Sequence, residues 1–351
     1  MIIKTVKTSF ASIVLLAIAL LPINGCGSQN ENIGSASIMP NESGSFFSFD
    51  NKTSESPFNN SVGFSSQIFS ESYLFFTDPH PFLPNTSLLS SYGWFESNIS
   101  LLSSFCQTNH PDFVLCGGDL LTHGDSKPEA CEKLRFFVDY FHSSFNDFYI
   151  LTGNHDTNYQ GDTYDASNDY QSCMLSQELI NQSLFYGRKS YYSFETTFSN
   201  NYCFDSGIDW GGDKMDDYKW EQVRWFANDL LTNSKDHIII FVHIALYGAN
   251  NELTALMKEI ERIIIAFNTK SSLTIGDEIY SYCDCSGHID FVQAGHQHED
   301  LNTYKCGGVP IIITANYSYN SPSFDYVGVD FINKTAHCFR YGAGLDRLFA
   351  I

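Results

Sequence analysis

Basic residues are scarce in this sequence. Lysine and arginine together number 19 against 40 aspartates and glutamates, which gives a formal net charge of −21 over 351 residues. A surface with this balance repels the phosphate backbone of nucleic acids. The sequence also offers no basic groove with interleaved aromatic residues. Both absences disfavour a nuclease, and we expect no nucleic-acid partner.

A long apolar run is also missing. The stretch 13–21 near the N-terminus is too short to span a membrane as a stable helix. It follows Lys4 and Lys7, and together these features are typical of an export signal. We therefore predict that residues 1–25 form a signal peptide and that the mature protein lies outside the cytoplasm.

The predicted signal ends in Ile23-Asn24-Gly25-Cys26. Small residues before a cysteine, directly after an apolar stretch, resemble the lipobox of bacterial lipoproteins. The resemblance implies cleavage before Cys26 and lipid on its thiol. Several acyl chains would hold the protein on a membrane, since each buried CH₂ contributes about 0.8 kcal/mol. Ordinary secretion, with Cys26 merely close to the cleavage site, is the alternative.

A zinc-knuckle pattern is absent, because Cys283 and Cys285 form one close pair without a second. Nine cysteines follow Cys26, and an odd count leaves at least one of them outside any disulfide of the monomer. Disulfides persist outside the cytoplasm, whereas burial inside a strand is the other interpretation for Cys116. The sequence does not determine the connectivity.

Composition divides the mature chain in two. Residues 26–68 are rich in Ser, Asn and Gly and carry no sustained helical or strand period. They predict a flexible tether between the lipidated Cys26 and a folded domain at 69–351.

The domain begins with apolar runs of strand length that alternate with amphipathic stretches. Helical periodicity occurs at 87–105 and again up to about Ser144, where Asp125 or Ser126 can cap the helix. This order predicts a parallel sheet with right-handed crossovers. Later segments predict short strand pairs, two more helices and a closing hairpin, at 190–198 with 202–205, 220–231, 252–267, and 326–332 with 336–341. We therefore expect an α/β (α+β) fold of two mixed sheets with helices outside.

One connection is unusually long. Residues 157–187 are polar and rich in tyrosine, and they leave the motif at Gly153 directly. Connections of this length are often functional. We expect this segment to overhang the rim of a site.

Five apolar runs end in side chains that can bind a metal. The runs are followed by Asp78-Pro79-His80, Gly117-Gly118-Asp119, Gly153-Asn154-His155-Asp156, His243, and Gly295-His296-Gln297-His298. The carboxyl ends of parallel strands are where active sites of open α/β sheets lie. The sequence therefore predicts one site built from several strand ends.

The chemistry of these donors points to a catalytic metal centre. The candidate ligands are oxygen and nitrogen donors without sulfur, namely Asp78, His80, Asp119, Asn154, His243, His296 and His298. Such a set suits Mn²⁺, Fe, Zn²⁺ or Mg²⁺ better than a structural zinc. Seven donors exceed the need of one ion and fit two that share a carboxylate, for which Asp119 is the natural bridge.

The ordered set of motifs resembles the calcineurin-like metallophosphoesterases, over about residues 72–300. The resemblance implies a four-layer αββα sandwich. It implies that Asp78, His80, Asp119 and His298 hold one ion, and that Asp119, Asn154, His243 and His296 hold the other. It further implies that His155 contacts the substrate phosphate and that Asp156 orients His155. Position 122 is Thr where purple acid phosphatases have a metal-bound Tyr, so no iron–tyrosinate centre is expected.

The expected function is hydrolysis of a small phosphomono- or phosphodiester by a hydroxide that two divalent or trivalent ions activate. A non-catalytic binding lipoprotein that retains this fold is the alternative. The sequence selects neither the ester class nor the oligomeric state.

Overall fold

The computed structural model describes residues 69–82, 86–122, 124–158, 173–206, 214–248, 250–301, 303–317 and 322–351. The predicted signal peptide and tether lie outside these ranges, as do residues 159–172 of the long polar connection. Within the described ranges, no helix is long and apolar enough to cross a membrane.

The regular elements alternate strand and helix over the first half and are mostly strands over the second. In chain order they are β1 (Glu71–Phe76), α1 (Leu88–Asn109), β2 (Phe113–Cys116), α2 (Lys127–Ser144), β3 (Phe148–Ile150), α3 (Gln177–Leu184), β4 (Tyr192–Glu195), β5 (Ser199–Phe204), α4 (Asp217–Asp229), β6 (His237–Val242), β7 (Leu246–Tyr247), β8 (Glu252–Leu253), α5 (Ala255–Asn268), β9 (Ser272–Ile275), β10 (Glu278–Ser281), β11 (His288–Ala294), β12 (Lys305–Cys306), β13 (Val309–Ile313), β14 (Phe324–Asp330), β15 (Thr335–Tyr341) and β16 (Arg347–Ala350).

Two mixed six-stranded sheets form the centre of the domain, in the orders β16-β15-β14-β1-β2-β3 and β12-β13-β11-β6-β5-β4. In the first sheet β1, β2 and β3 are parallel, and β14 to β16 are antiparallel to their neighbours. In the second sheet β5, β6, β11 and β13 are parallel, whereas the edge strands β4 and β12 are antiparallel. The expectation of two mixed sheets is confirmed.

Alternation along the strands separates the layers. On β1, Leu74 and Phe76 pack in a cluster with α1 and α2, whereas Tyr73 and Phe75 point to the second sheet. On β6, Ile238, Ile240 and Val242 pack with α4 and α5, and the intervening Ile239 and Phe241 meet the first sheet. Because successive side chains of a strand face opposite sides, both sheets are buried on both faces. The layer order is therefore helix, sheet, sheet, helix.

Helix α2 begins where its capping signals predict, whereas α5 begins later than predicted. Ser126 begins α2 with a capping box to Glu129 and a proline in the first turn. The predicted start of α5 at Glu252 is wrong by three residues, because Thr254 caps the helix through Met257 N and Glu252–Leu253 pairs with β7 instead. Helix α3 was not predicted, and its buried residues Ile180 and Leu184 lie on one face.

None of the nine cysteines in the described residues forms a disulfide bond. Cys116, Cys203, Cys306 and Cys338 are buried in strands. Burial, the interpretation offered for Cys116, is what the structure shows. Burial also raises the pKa of the thiol at Cys116 well above its usual range.

Candidate metal centre

The five strand ends that carry the predicted ligands meet at one edge of the sandwich. In the first sheet Phe76, Cys116 and Ile150 are register partners, so the segments after β1, β2 and β3 leave the sheet side by side. In the second sheet Val242 pairs with Ala294, which places the segments after β6 and β11 together. Parallel pairing within each sheet, together with the packing of the two sheets on each other, brings residues 220 positions apart into contact, as in the His298–Asp78 ion pair.

The backbone turns sharply where the ligands are presented. Asp78, His80, Asp119, His296 and His298 all have positive φ, between 38° and 71°. A non-glycine residue in this region is uncommon, although Asp, Asn and His enter it more readily than others. Such strain persists where the surrounding structure fixes it, and it concentrates at functional sites.

Close approach of the loops explains two of the motif glycines. A Cβ at Gly153 would lie 2.1 Å from Asp119 Oδ1, and one at Gly295 would lie 2.2 Å from Thr77 Oγ1. Both separations are far below van der Waals contact, so a side chain at either position would displace the ligand loops.

The ligand candidates fall into two groups that share Asp119. Asp78, His80, Asp119 and His298 form one group, and Asp119, His243 and His296 form the other. Within each group the ligand atoms lie within 4.8 Å of one another. The two groups contain the residues, other than Asn154, that the family resemblance assigns to the two ions, with Asp119 in both.

The hydrogen bonds of His243 suit a cation beside it. Its Nδ1 donates to the carbonyl oxygen of Gly117 at 2.7 Å, and this fixes the proton on Nδ1. Its Nε2 then faces two oxygens, Asn154 Oδ1 at 3.2 Å and Asp119 Oδ2 at 3.2 Å. Asp119 Oδ2 is buried and has no partner with hydrogen-bond geometry among the described residues. Either a proton on Nε2 or a metal ion can satisfy these oxygens, and the three atoms converge as the ligands of one ion would, so the donors fit the predicted group and include Asn154.

His80 and His298 complete the first group in a similar way. His80 Nδ1 donates to the carbonyl oxygen of Leu121 at 2.7 Å, and its Nε2 lies 3.9 Å from Asp119 Oδ2. His298 Nε2 lies 3.1 Å from Asp78 Oδ1, with about half of the His298 side chain exposed. The second oxygen of Asp78 accepts the Thr77 hydroxyl at 2.6 Å and the His296 backbone N–H at 3.1 Å. Sequence reasoning missed Thr77, since a single threonine at a strand end carries no signal.

Charges in the cluster shift the acid–base equilibria strongly. Burial opposes protonation of His243, but the carboxylates of Asp119 and Asp78 outweigh it and raise its pKa to about 10. Burial and the neighbouring His243 lower the pKa of His296 to about 4. Although burial alone would raise the pKa of Asp119, His243 and the other imidazoles lower it well below its usual range. The carboxylate that both groups share therefore remains an anion.

Asp156 connects two of the ligand-bearing loops through backbone hydrogen bonds, and its orientation of His155 stays a prediction. Its two oxygens accept backbone N–H groups from Asp119, Leu120, Leu121 and Gly153, at 2.7 to 3.3 Å. The carboxylate therefore ties the loop after β2 to the loop after β3. Burial, with a smaller contribution from Asp119, raises its pKa to about 7.

His155 begins a short 3₁₀ turn, His155–Thr157, directly after Asn154. Its backbone N–H donates to Asp119 Oδ1 at 2.8 Å. Its ring lies 4.8 Å from the His80 ring, nearly perpendicular to it. The half-buried imidazole thus lies at the border of the first ligand group, and it belongs to neither group.

The calcineurin-like phosphoesterase family model matches residues 72–300 of the sequence. This chain therefore belongs to the calcineurin-like phosphoesterase family. No curated protein matches the sequence.

Solved structures are similar at low sequence identity. A dimetal phosphatase from Danio rerio is 10% identical with a TM-score of 0.50, over 81% of this chain and 99% of that one. A 5'-nucleotidase from Candida albicans SC5314 is 16% identical with a TM-score of 0.40, over 75% of this chain and 49% of that one. The first of these similarities supports the metallophosphoesterase sandwich fold.

Proposed function

We propose that this protein is a metal-dependent phosphoester hydrolase that acts on a small phosphomono- or phosphodiester with two metal ions. The observation that carries the proposal is the position of Asp119, whose carboxylate belongs to both ligand groups and whose buried Oδ2 lies 3.2 Å from His243 Nε2 without a hydrogen bond of regular geometry in the described residues. Oδ1 accepts the His155 backbone N–H, but a buried carboxylate oxygen that lacks such a bond is costly. A pair of cations that it bridges removes this cost.

The donors would divide between the ions as the two groups indicate. Asp78, His80 and His298 would hold one, and Asn154, His243 and His296 the other, with Asp119 shared. Oxygen and imidazole donors suit Mn²⁺, Fe or Zn²⁺. When bound, such a pair supplies a nucleophilic hydroxide at neutral pH and neutralises charge on the phosphoryl group.

The protein's own residues would orient the reaction around this pair. His155 lies beside the first ligand group through its contact with His80, where it can protonate the oxygen of a departing alcohol. Asp156 holds the loops of Asp119 and Gly153 at a fixed separation. Asp78 fixes the loop of His296 through that residue's backbone N–H.

Metal content and substrate preference test the proposal together. Protein purified with Mn²⁺ present should contain about two ions per chain, the stoichiometry of two-metal hydrolysis, and should hydrolyse members of a panel of nucleotides, cyclic nucleotides, nucleotide sugars, phospholipid headgroups and simple monoesters. Chelation should abolish the activity and Mn²⁺ should restore it. A metal-loaded protein that turns over no phosphoester would contradict a hydrolytic role, and one ion or none would contradict the dinuclear centre.

The lipobox-like sequence supports a place for this activity on a membrane, outside the cytoplasm. The native protein should enter the detergent phase on phase separation, because acyl chains on Cys26 partition into micelles. Cys26→Ala should remain in the aqueous phase and take up no labelled fatty acid, whereas Cys283→Ala, at an exposed cysteine of the domain, should behave as wild type. Native protein found in the medium with an N-terminus after Cys26 would indicate ordinary secretion instead.

A further inference from the structure

A cluster of four charged side chains lies next to the second of the two ligand-bearing loops in the second sheet. Arg340 of β15 and Arg347 of β16 contact Asp300, which follows His298 by two residues, and Asp325 of β14. Asp325, Arg340 and Arg347 are 0%, 4% and 9% exposed. The cluster is therefore largely removed from water.

Stability alone gives little reason for such a cluster. Withdrawing charges from water costs several kcal/mol per ion, and apolar side chains of similar volume often stabilise a fold as well or better. Guanidinium groups can instead fix the position of a carboxylate, because their N–H donors lie in one rigid plane.

Asp300 is the carboxylate whose position matters for the metal centre. Arg340 donates to it, Arg347 Nη1 lies 3.3 Å from its Oδ1, and the backbone N–H of Ala315 donates to it at 2.9 Å. Between Asp300 and the end of β11 lie His296 and His298, both with positive φ. A strained segment of this kind keeps one conformation only if both of its ends are fixed.

The other end of the segment belongs to the same network. Gln293, on β11, donates to the Thr314 hydroxyl at 2.8 Å, and Thr314 donates to Asp325 Oδ2 at 2.6 Å. Asp325 in turn accepts from Arg347, which also contacts Asp300. These hydrogen bonds and ion pairs form a continuous network, which begins at Gln293 on β11 just before the loop of His296 and His298 and ends at Asp300 just after it. All of its members except Asp300 are buried.

We infer that the cluster of Asp300, Asp325, Arg340 and Arg347 positions the loop of His296 and His298 and thereby sets the affinity of the site for its metal ions. The inference rests on the proposed function. The four residues are positioning residues, because they act through the ligand loop. Since the loop supplies one imidazole to each ligand group, loosening it should weaken the binding of both ions.

Arg340→Met tests this inference. It removes the charge and the hydrogen bond to Asp300 and keeps most of the apolar volume. Calorimetric titration of the metal-free full chain with Mn²⁺ should show binding about 10-fold weaker than in wild type, the low end of the 10- to 100-fold cost of losing a direct partner of a metal ligand, because Arg340 acts on the ligands through Asp300. Arg340→Lys should recover part of the affinity. Arg262→Met, which removes an exposed arginine paired with Glu259 on α5, should bind as wild type.

A second readout separates positioning from a general structural defect. Hydrolysis by Arg340→Met should require more Mn²⁺ for half-maximal rate but reach the wild-type kcat at saturating Mn²⁺. Unchanged Mn²⁺ affinity in folded Arg340→Met, or a low kcat that Mn²⁺ does not restore, overturns the inference. If Arg340→Met does not fold, Asp300→Asn decides in the same titration. Failure of the wild type itself to bind Mn²⁺ refutes the proposed function instead.

Discussion

Asp119→Ala is expected to lose both metal ions and nearly all activity. Its carboxylate is the one group that the two ligand sets share, so its removal takes a ligand from each. It also removes the acceptor of the His155 backbone N–H. We expect kcat/KM to fall by more than about 10³-fold, since a single electrostatic stabiliser of a transition state is worth about 10²–10³. Elemental analysis and phosphoester hydrolysis on the same preparation check both parts.

Two further variants test whether Asp119 bridges the two ions or binds only one of them. Asp119→Asn keeps the shape and one oxygen, so it should retain fold and lose most metal. His80→Ala removes a ligand from one group only and should leave about one ion per chain, as the division of donors between two ions requires. If Asp119→Ala keeps one ion at full occupancy, the carboxylate does not bridge. If His80→Ala loses both, the two groups do not bind independently.

The clustering of the candidate ligands could be predicted because each signal is local and repeated. Asp78, Asp119, Asn154, His243 and His298 all lie within four residues of the end of an apolar strand, and strand ends of a parallel sheet share one edge. Alternate side chains of a strand face the helices and the opposite sheet, and this too follows from the period of two within each strand. These features depend only on residues close together in the sequence, so the sequence pattern is enough to predict them.

The remaining features depend on partners far away in the sequence. Asp156 belongs to a sequence motif, but the motif does not show that its carboxylate accepts three backbone N–H groups of the loop after β2. Asp300 has no motif, and its partner Arg340 is 40 residues away. The short β9–β10 hairpin and the edge strand β16 were not predicted, because few alternating residues distinguish short strands from connections.

His155→Ala should slow hydrolysis in a way that depends on the leaving group. The substitution preserves the backbone N–H bond to Asp119 and removes the imidazole alone. Protonation of a departing oxygen contributes about 10²–10⁴-fold. We expect a loss of that size in kcat/KM for an ester with an alkoxide leaving group, and a smaller one for nitrophenyl esters, whose leaving group departs without a proton. Both ions should remain, because His155 belongs to neither ligand group.

The control is His288→Ala, since His288 is an exposed histidine at the start of β11, at the opposite end of that strand from the metal centre. It should leave both esters and the metal content unchanged. Metal content and kcat/KM for both ester types must come from the same preparations. Loss of an ion in His155→Ala would make the imidazole a ligand. An equal slowing of both esters would make it a clamp for the phosphate, and the proton would then have to come from another group at the rim of the site.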